Sequence, residues 1–250
     1  LLVTAFVSPA EAAALTKAGF DFVPIPNEGY NSFLAHGPNS MVPVPWPTYD
    51  DFVARMGALE TAYPALVDLT TIGDTTLGVH IYCLEISDNV GSDEYEPEFR
   101  YVSTMHGDET TGIEMTLRLA ELLAASYGTD AALTTLVNEI EIWICPIYNP
   151  DGYNAGTRYN ANGIDLNRNY PDRFTDPEDN PDGHEIETQV FMDFGYEHQF
   201  VMGANYHGGT LVLNYPWDAV AAPGDPIIAT YAPDDTLFHT FGYGYTSLNL

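Results

Sequence analysis

Three side chains with metal-binding chemistry follow apolar segments of the sequence. The segment FRYVSTM is followed by HGDE, which places His106 and Glu109 three positions apart. A neutral imidazole and a carboxylate at this spacing can both reach one Zn²⁺ at roughly 2.0–2.2 Å and leave room for a third protein ligand and a water molecule. His207, in NYHGG after another apolar segment, is the candidate third ligand. The pattern predicts one zinc ion per chain, although a His-x-x-Glu pair taken alone also arises by chance.

Two arginines lie close together in a chain that has few basic residues. The segment TRYNANGIDLNRNYPD contains Arg158, Asn167 and Arg168, whereas the whole chain has 7 Lys and Arg against 36 Asp and Glu. Two guanidinium groups in such a base-poor chain indicate a specific role. Ion pairs with the many acidic side chains are the alternative explanation.

The charge and the cysteine content narrow the class of protein. A formal net charge of −29 repels phosphate backbones and anionic lipids, which argues against nucleic acid and membrane partners. No apolar stretch approaches the roughly 20 residues that span a bilayer. The two cysteines, Cys83 and Cys145, lie in apolar runs, and we expect buried free thiols. The start at Leu1, without an initiator Met, is typical of a processed chain, and we expect a secreted or periplasmic monomer.

The elements that must position these residues alternate between strand and helix patterns. This alternation predicts an α/β fold with a mixed, mostly parallel twisted sheet and helices on both faces. In such sheets, chemistry gathers beyond the carboxyl ends of the strands, where both histidines lie. Apolar periodicity predicts strands over 79–86, 99–105, 139–145, 200–206 and 211–214, and helices over 110–127 and 185–196.

The chain divides into a short leading segment and a main domain. The pattern of residues 1–46 predicts a small unit of strand, helix and strand, which resembles a leader or pro-segment. A linker rich in Pro and Gly follows it. Residues 47–250 form the predicted catalytic domain, whose first helix begins at Thr48 or Tyr49.

Four motifs, in this order, carry a family resemblance: HGDE, NPDGYN, GIDLNRNYPD and NYHGGTLVLNYPWD. Together they resemble the zinc carboxypeptidases, most closely the regulatory subfamily that removes basic residues (the N/E type). The resemblance covers the chain from about Tyr49 to its end. It implies a zinc hydrolase that binds the carboxyl ends of peptides or proteins and cleaves their last peptide bond.

The resemblance also implies a role for each motif residue. Arg158 is the arginine that polarises the scissile carbonyl and stabilises the oxyanion, and Asn167 and Arg168 hold the terminal carboxylate. A bidentate guanidinium–carboxylate contact would explain the selection of a chain end over an internal bond. Asp218 lies at the base of the specificity pocket and favours C-terminal Lys or Arg. The implied zinc ligands are His106, Glu109 and His207.

The chain departs from the family pattern near its end. The resemblance implies a general-base glutamate and a substrate-capping tyrosine in a later segment, and neither is found before Leu250. We therefore expect either a longer active enzyme, which these residues represent without its final strand and helix, or a truncated form that binds zinc and peptide without turnover. Glu185 and Glu187 are not assigned the missing role. A peptidase acting on cell-wall peptides is a further alternative.

One acidic segment, DPEDNPDGHEIE over residues 176–187, carries several carboxylates. These could bind Ca²⁺, although the spacing does not match a recognised calcium loop and a solvated acidic turn is the alternative.

Overall fold

The computed structural model divides the chain into two compact units, Leu1–Trp46 and Pro47–Leu250. Apart from residues 16, 17 and 19, the strand, helix, strand pattern expected near the amino end lies outside the described residues. The structure describes residues 46–92, 94–172, 174–210, 212–217 and 231–247, together with residues 16, 17 and 19.

The second unit alternates strands and helices along the chain. Its elements, in order, are α1 (Tyr49–Ala62), β1 (Val67–Asp74), β2 (His80–Ile86), β3 (Glu98–Ser103), α2 (Thr111–Ser126), α3 (Ala131–Glu139), β4 (Glu141–Cys145), α4 (Pro150–Ala155), a 3₁₀ turn (Leu166–Arg168), α5 (Ile186–Glu197), β5 (Phe200–Tyr206) and α6 (Asp235–Ser247).

The sheet explains why distant segments meet. Its described strands follow the order β1-β2-β4-β3-β5. The first two pairings are antiparallel, and β3 runs parallel to both β4 and β5. The predicted mixed α/β class is confirmed, with parallel and antiparallel pairings in equal number. Because β3, β4 and β5 run in the same direction, their carboxyl ends share one edge of the sheet.

Two cores cover the two faces of the sheet. Every residue of the central strand β4 is buried. Ile142 and Ile144 pack in one core with side chains from α1, α2 and α3. Trp143 and Cys145 pack in the other, where Phe191 of α5 lies. The helices thus lie on both sides of the sheet, as predicted.

Local sequence signals account for the start of the domain and for several boundaries. Thr48 caps α1: its hydroxyl accepts a hydrogen bond from the Asp51 N–H, and the Asp51 carboxylate accepts one from the Thr48 N–H. Such a capping box satisfies two backbone donors at the helix start. Cys83 and Cys145 are buried free thiols, as predicted.

Some predicted elements differ from the structure. The strand predicted over 211–214 is wrong for its described residues, because residues 212–214 have no regular structure. A run of apolar residues forms a strand only where a neighbouring strand pairs with it. The strand β1 and the helices α3 and α4 were not predicted. No helix within the described ranges is both long and apolar enough to cross a bilayer.

Candidate metal centre

Three side chains converge where β3 and β5 end. His106 follows β3 by three residues, and a turn closed by the Glu109 N–H and the His106 carbonyl (3.0 Å) presents both side chains. His207 follows β5 directly. Since the two strands are parallel neighbours, the residues that leave their carboxyl ends come together although they are far apart in sequence.

The ligand atoms of these three residues lie slightly closer together than in a tetrahedral zinc site. The His106 Nδ1 is 3.1 Å from the His207 Nδ1 and 3.0 Å from Glu109 Oε1. The His207 Nδ1 is 2.9 Å from Glu109 Oε2. Zinc bound at the usual distances separates neighbouring ligand atoms by roughly 3.4 Å. A small outward shift would therefore seat the ion, and the donor set of two imidazoles and one carboxylate fits Zn²⁺.

Two partners set the tautomer of His106, which is 2% exposed. The Arg158 Nη1 lies 3.1 Å from its Nδ1, and its Nε2 lies 3.0 Å from Asp165 Oδ1. A guanidinium only donates, so Nδ1 accepts and the ring proton lies on Nε2, which donates to Asp165. The Nδ1 lone pair, which accepts from Arg158 in this structure, is the one that would bind a metal, and the other two candidate ligand atoms lie within 3.1 Å of Nδ1. A carboxylate behind a metal-binding imidazole orients the ring and raises its basicity.

The two carboxylates of the centre are held in their charged form. Burial acts to raise the pKa of Glu109, but the hydrogen bond from the Gly208 N–H (2.8 Å) and the interactions with His106 and His207 outweigh it and lower the pKa below its ordinary range. Burial opposes ionisation of Asp165 in the same way, and its contacts with Arg158 and His106 lower its pKa. Both carboxylates are therefore ionised at neutral pH, as a cation site requires.

The predicted substrate-binding residues have different environments. Arg158 forms an ion pair with Asp165 (2.9 Å) and approaches Glu109 Oε1 (3.5 Å). Asn167 and Arg168 are exposed on the 3₁₀ turn, and Arg168 Nη1 donates to the Asn167 carbonyl oxygen. Among the described carboxylates, none forms an ion pair with Arg168, which lines a cavity of about 430 Å³. Asp218 lies outside the described residues.

Asp165 is the functional residue that the sequence reasoning did not single out. It stands in GIDLNR between the two candidate arginines. An acid between two guanidinium groups in a base-poor chain was the available signal. Its contact with His106 spans 59 positions, which spacing alone does not show.

Other groups of potential ligands occur in the described part of the chain. Glu98, Glu141 and His198 converge at the amino ends of the parallel strands, on the edge opposite the zinc candidate. Within the described ranges, the acidic segment 176–187 contributes no convergent group of three. The calcium prediction for that segment is therefore without support.

Comparisons with known proteins place the chain in a family. The family model described as zinc carboxypeptidase matches residues 52–249. Carboxypeptidase D of Rattus norvegicus is 36% identical over 259 residues, which cover 97% of this chain and 18% of that protein. Carboxypeptidase M of Mus musculus is 37% identical over 198 residues, which cover 75% of this chain and 44% of that protein.

A solved structure shares the fold. The crystal structure of carboxypeptidase A from Helicoverpa armigera superposes with a TM-score of 0.65 at 20% identity, over 94% of this chain and 64% of that one. The chain thus spans less than two thirds of the length of each of these three relatives. Because the family model matches most of the chain and relatives exceed 30% identity, the chain belongs to the zinc carboxypeptidase family.

Proposed function

We propose that this protein is a zinc carboxypeptidase that hydrolyses the last peptide bond of peptides or proteins and releases C-terminal Lys or Arg. The observation that carries the proposal is the convergence of His106, Glu109 and His207 beside the guanidinium of Arg158. Membership of the zinc carboxypeptidase family supports the same conclusion.

The residues around the metal candidate have separate roles in the proposed reaction. Bound zinc would supply Lewis acidity, which polarises the scissile carbonyl and acidifies water. His106, Glu109 and His207 would hold the ion, and Asp165 keeps His106 in the tautomer that can bind it. Arg158 stabilises the negative charge that develops on the carbonyl oxygen, a role supported by its position 3.1 Å from a ligand nitrogen. The glutamate that would accept a proton from water stays a prediction from the family resemblance.

Arg168 and Asn167 bind the terminal carboxylate of the substrate. Arg168 forms no ion pair with any described carboxylate, although the chain has 36 acidic residues, and it is exposed at the rim of a cavity. Its exposed guanidinium retains donors for a carboxylate, which it can bind bidentately. Selection of a chain end over an internal bond follows, because only a chain end brings that carboxylate.

The preference for Lys or Arg rests on charge. The net charge of −29 attracts cationic peptides and raises their concentration near the protein. Asp218 is the proposed partner of the released side chain. At about 4 Å, in a partly screened pocket, the gross Coulomb energy of such a pair is on the order of 4 kcal/mol, much of it offset by desolvation.

Side-by-side hydrolysis assays test the function. Peptides that end in Lys, Arg, Leu or diaminopimelate are supplied with a free or an amidated carboxyl end, and released amino acids are measured. We expect release of Lys and Arg from free ends only, loss of release with a zinc chelator, and recovery on adding zinc. A preference for diaminopimelate would instead support a cell-wall substrate. Retained zinc without hydrolysis of any peptide would support a non-catalytic binding protein.

Location and assembly follow the same proposal. A secreted or periplasmic enzyme would meet peptide ends outside the cytoplasm, and a monomer suffices because all proposed zinc ligands come from one chain. Size-exclusion chromatography with light scattering tests the oligomeric state.

A further inference from the structure

The turn between Arg158 and Asp165 is closed by one buried amide. Asn160 is 3% exposed. Its Oδ1 accepts hydrogen bonds from the N–H groups of Asn162 (3.1 Å) and Ile164 (3.0 Å). Its own N–H donates to the Ile164 carbonyl oxygen at 3.0 Å. Asn160 therefore fixes the path of the chain between the two residues that contact His106.

Asn160 is in turn held by carboxylates at the start of α5. Its Nδ2 donates to Glu187 Oε2 (3.0 Å) and to Glu185 Oε2 (2.7 Å). Glu187 is fully buried, and its Oε1 accepts a hydrogen bond from the Thr76 N–H at 2.9 Å. The Glu187 carboxylate, in the first turn of α5, is thus hydrogen-bonded both to the β1–β2 turn and to the turn between Arg158 and Asp165.

Within the described ranges, Glu187 has no oppositely charged partner. No cationic side chain forms an ion pair with it in the part of the chain that the structure describes, so two neutral amide donors stabilise its carboxylate. Burying a carboxylate is costly unless its hydrogen bonds are fully made. Glu187 is fully buried and its oxygens face Thr76 and Asn160, so it does not contact a substrate at the metal candidate. Its role has to act through the groups that it holds.

We propose that Glu187 is a positioning residue for Arg158 and Asp165, acting through Asn160; this inference rests on the proposed function of the metal centre. Releasing Asn160 would let the turn relax. Arg158 would then lose its place beside the His106 Nδ1, and Asp165 its contact with the His106 Nε2. Zinc affinity and turnover should both decline, although Glu187 touches neither metal ligand nor substrate.

Glu187→Gln tests the proposal with little change of shape. The amide nitrogen of the new side chain must face the Thr76 N–H or the Asn160 amide, both of which are donors. We expect zinc affinity, measured by chelator competition, and kcat per bound zinc to fall about 10- to 100-fold, the usual range for partners behind a metal ligand. Glu60→Gln is the matched control, because Glu60 also accepts a hydrogen bond from a backbone N–H, that of Leu69. It should change neither quantity.

Double-mutant cycles separate positioning from general destabilisation. If Glu187 acts through the turn, its effect on zinc affinity shrinks in an Asp165→Asn background, and its effect on kcat shrinks in an Arg158→Ala background. Additive effects, or unchanged zinc affinity in Glu187→Gln, would overturn the inference. If the native protein binds zinc but cleaves no peptide, the proposed function is wrong. The double-mutant cycle on zinc affinity still tests the positioning role of Glu187 in that case.

A milder variant covers the case in which Glu187→Gln does not fold. Glu185 is only partly buried, and its Oε2 holds both Asn160 and Asn162 (2.7 Å each). Glu185→Gln should lower zinc affinity and kcat in the same direction by a smaller factor. Wild-type values for both quantities in a folded Glu185→Gln protein would also count against the proposal.

Discussion

At the scale of single residues, the candidate site is a set of hydrogen-bonded side chains that ends at the candidate metal ligand His106. Arg158 donates to His106 on one side of the ring, and Asp165 accepts from it on the other. Arg158 also pairs with Asp165 directly. The three side chains therefore fix one another's orientation. We expect Asp165 to affect mainly zinc affinity and Arg158 to affect mainly turnover.

Asp165→Asn should weaken zinc binding while leaving the ligands in place. Asn offers no negative charge to the imidazole and can turn its NH₂ towards the ring proton. We expect zinc affinity to fall about 10- to 100-fold in chelator competition. Asp130→Asn is the control, because Asp130 only caps α3 and Asn caps helices equally well. Equal zinc affinity in the two variants would show that Asp165 does not orient His106.

Arg158→Ala should lower turnover far more than zinc content. Removing a donor aimed at a developing oxyanion reduces kcat by roughly 10²- to 10³-fold. Steady-state kinetics and metal analysis of the same samples measure both. Arg118→Ala, which removes a surface arginine paired with Glu114, should leave kcat unchanged. Loss of zinc with unchanged kcat per bound zinc would contradict the oxyanion role.

At the scale of elements, the motif segments pack backbone against backbone. A Cβ added at Gly107, next to the candidate ligand His106, would lie 2.0 Å from the Gly152 carbonyl carbon and 2.3 Å from the Tyr153 nitrogen. HGDE and NPDGYN therefore meet without a side chain between them. This contact brings α4 against the turn that carries the candidate ligands His106 and Glu109.

Gly107→Ala should destabilise the fold by about 3 kcal/mol, because backbone atoms cannot move aside as a flexible side chain can. Urea unfolding measures the change. Gly57→Ala is the matched control: it lies inside α1 with its nearest neighbour at 3.9 Å, and alanine should stabilise that helix by up to about 1 kcal/mol. Equal midpoints for the two variants would refute the close approach.

At the scale of the whole molecule, both ends of the parallel strands carry clusters of carboxylates, and the two clusters have different partners. The carboxyl edge places Arg158 among the carboxylates of the metal candidate. At the amino edge, Glu98 and Glu141 are buried near Glu85, with His198 bonded to Glu98 at 2.7 Å. Burial raises the pKa of Glu141; the hydrogen bond from Trp143 opposes this, whereas the charges of Glu85 and Glu98 reinforce it.

Glu141→Gln should stabilise the protein at neutral pH. A folded state with a raised carboxyl pKa binds the proton more tightly than the unfolded state, so wild-type stability falls as the pH rises through the folded pKa. Gln does not titrate and keeps the acceptor for Trp143 Nε1. We expect a gain of about 1 kcal/mol at pH 7.5 that disappears as the pH falls below 4.5, the ordinary carboxyl value. Urea unfolding at both pH values measures it.

The exposed neighbour Glu139 provides the control for that comparison. Glu139→Gln should show no such gain at either pH. A gain in Glu141→Gln that persists unchanged at acid pH would mean that side-chain shape, and not charge, is responsible.

Sequence patterns predicted the parts of the fold that depend on local order. The strand β5 was predicted with its observed limits, and α2 and α5 within one residue, because the periodicity of apolar residues depends on neighbours in the sequence. The strand β1 was missed because Asp, Thr and Gly interrupt the apolar residues of its sequence, VDLTTIGD. Its sequence therefore lacks the apolar run of a central strand.

The sequence by itself determined the donor chemistry and the family, because few residue types bind zinc or a carboxylate and their order along the chain is visible. Only the tertiary structure decided which groups act on those donors. The contact of Asp165 with His106 spans 59 positions and that of Asn160 with Glu187 spans 27. Such contacts arise because parallel strands bring distant chain segments to one edge, and no local pattern records which polar side chain meets which.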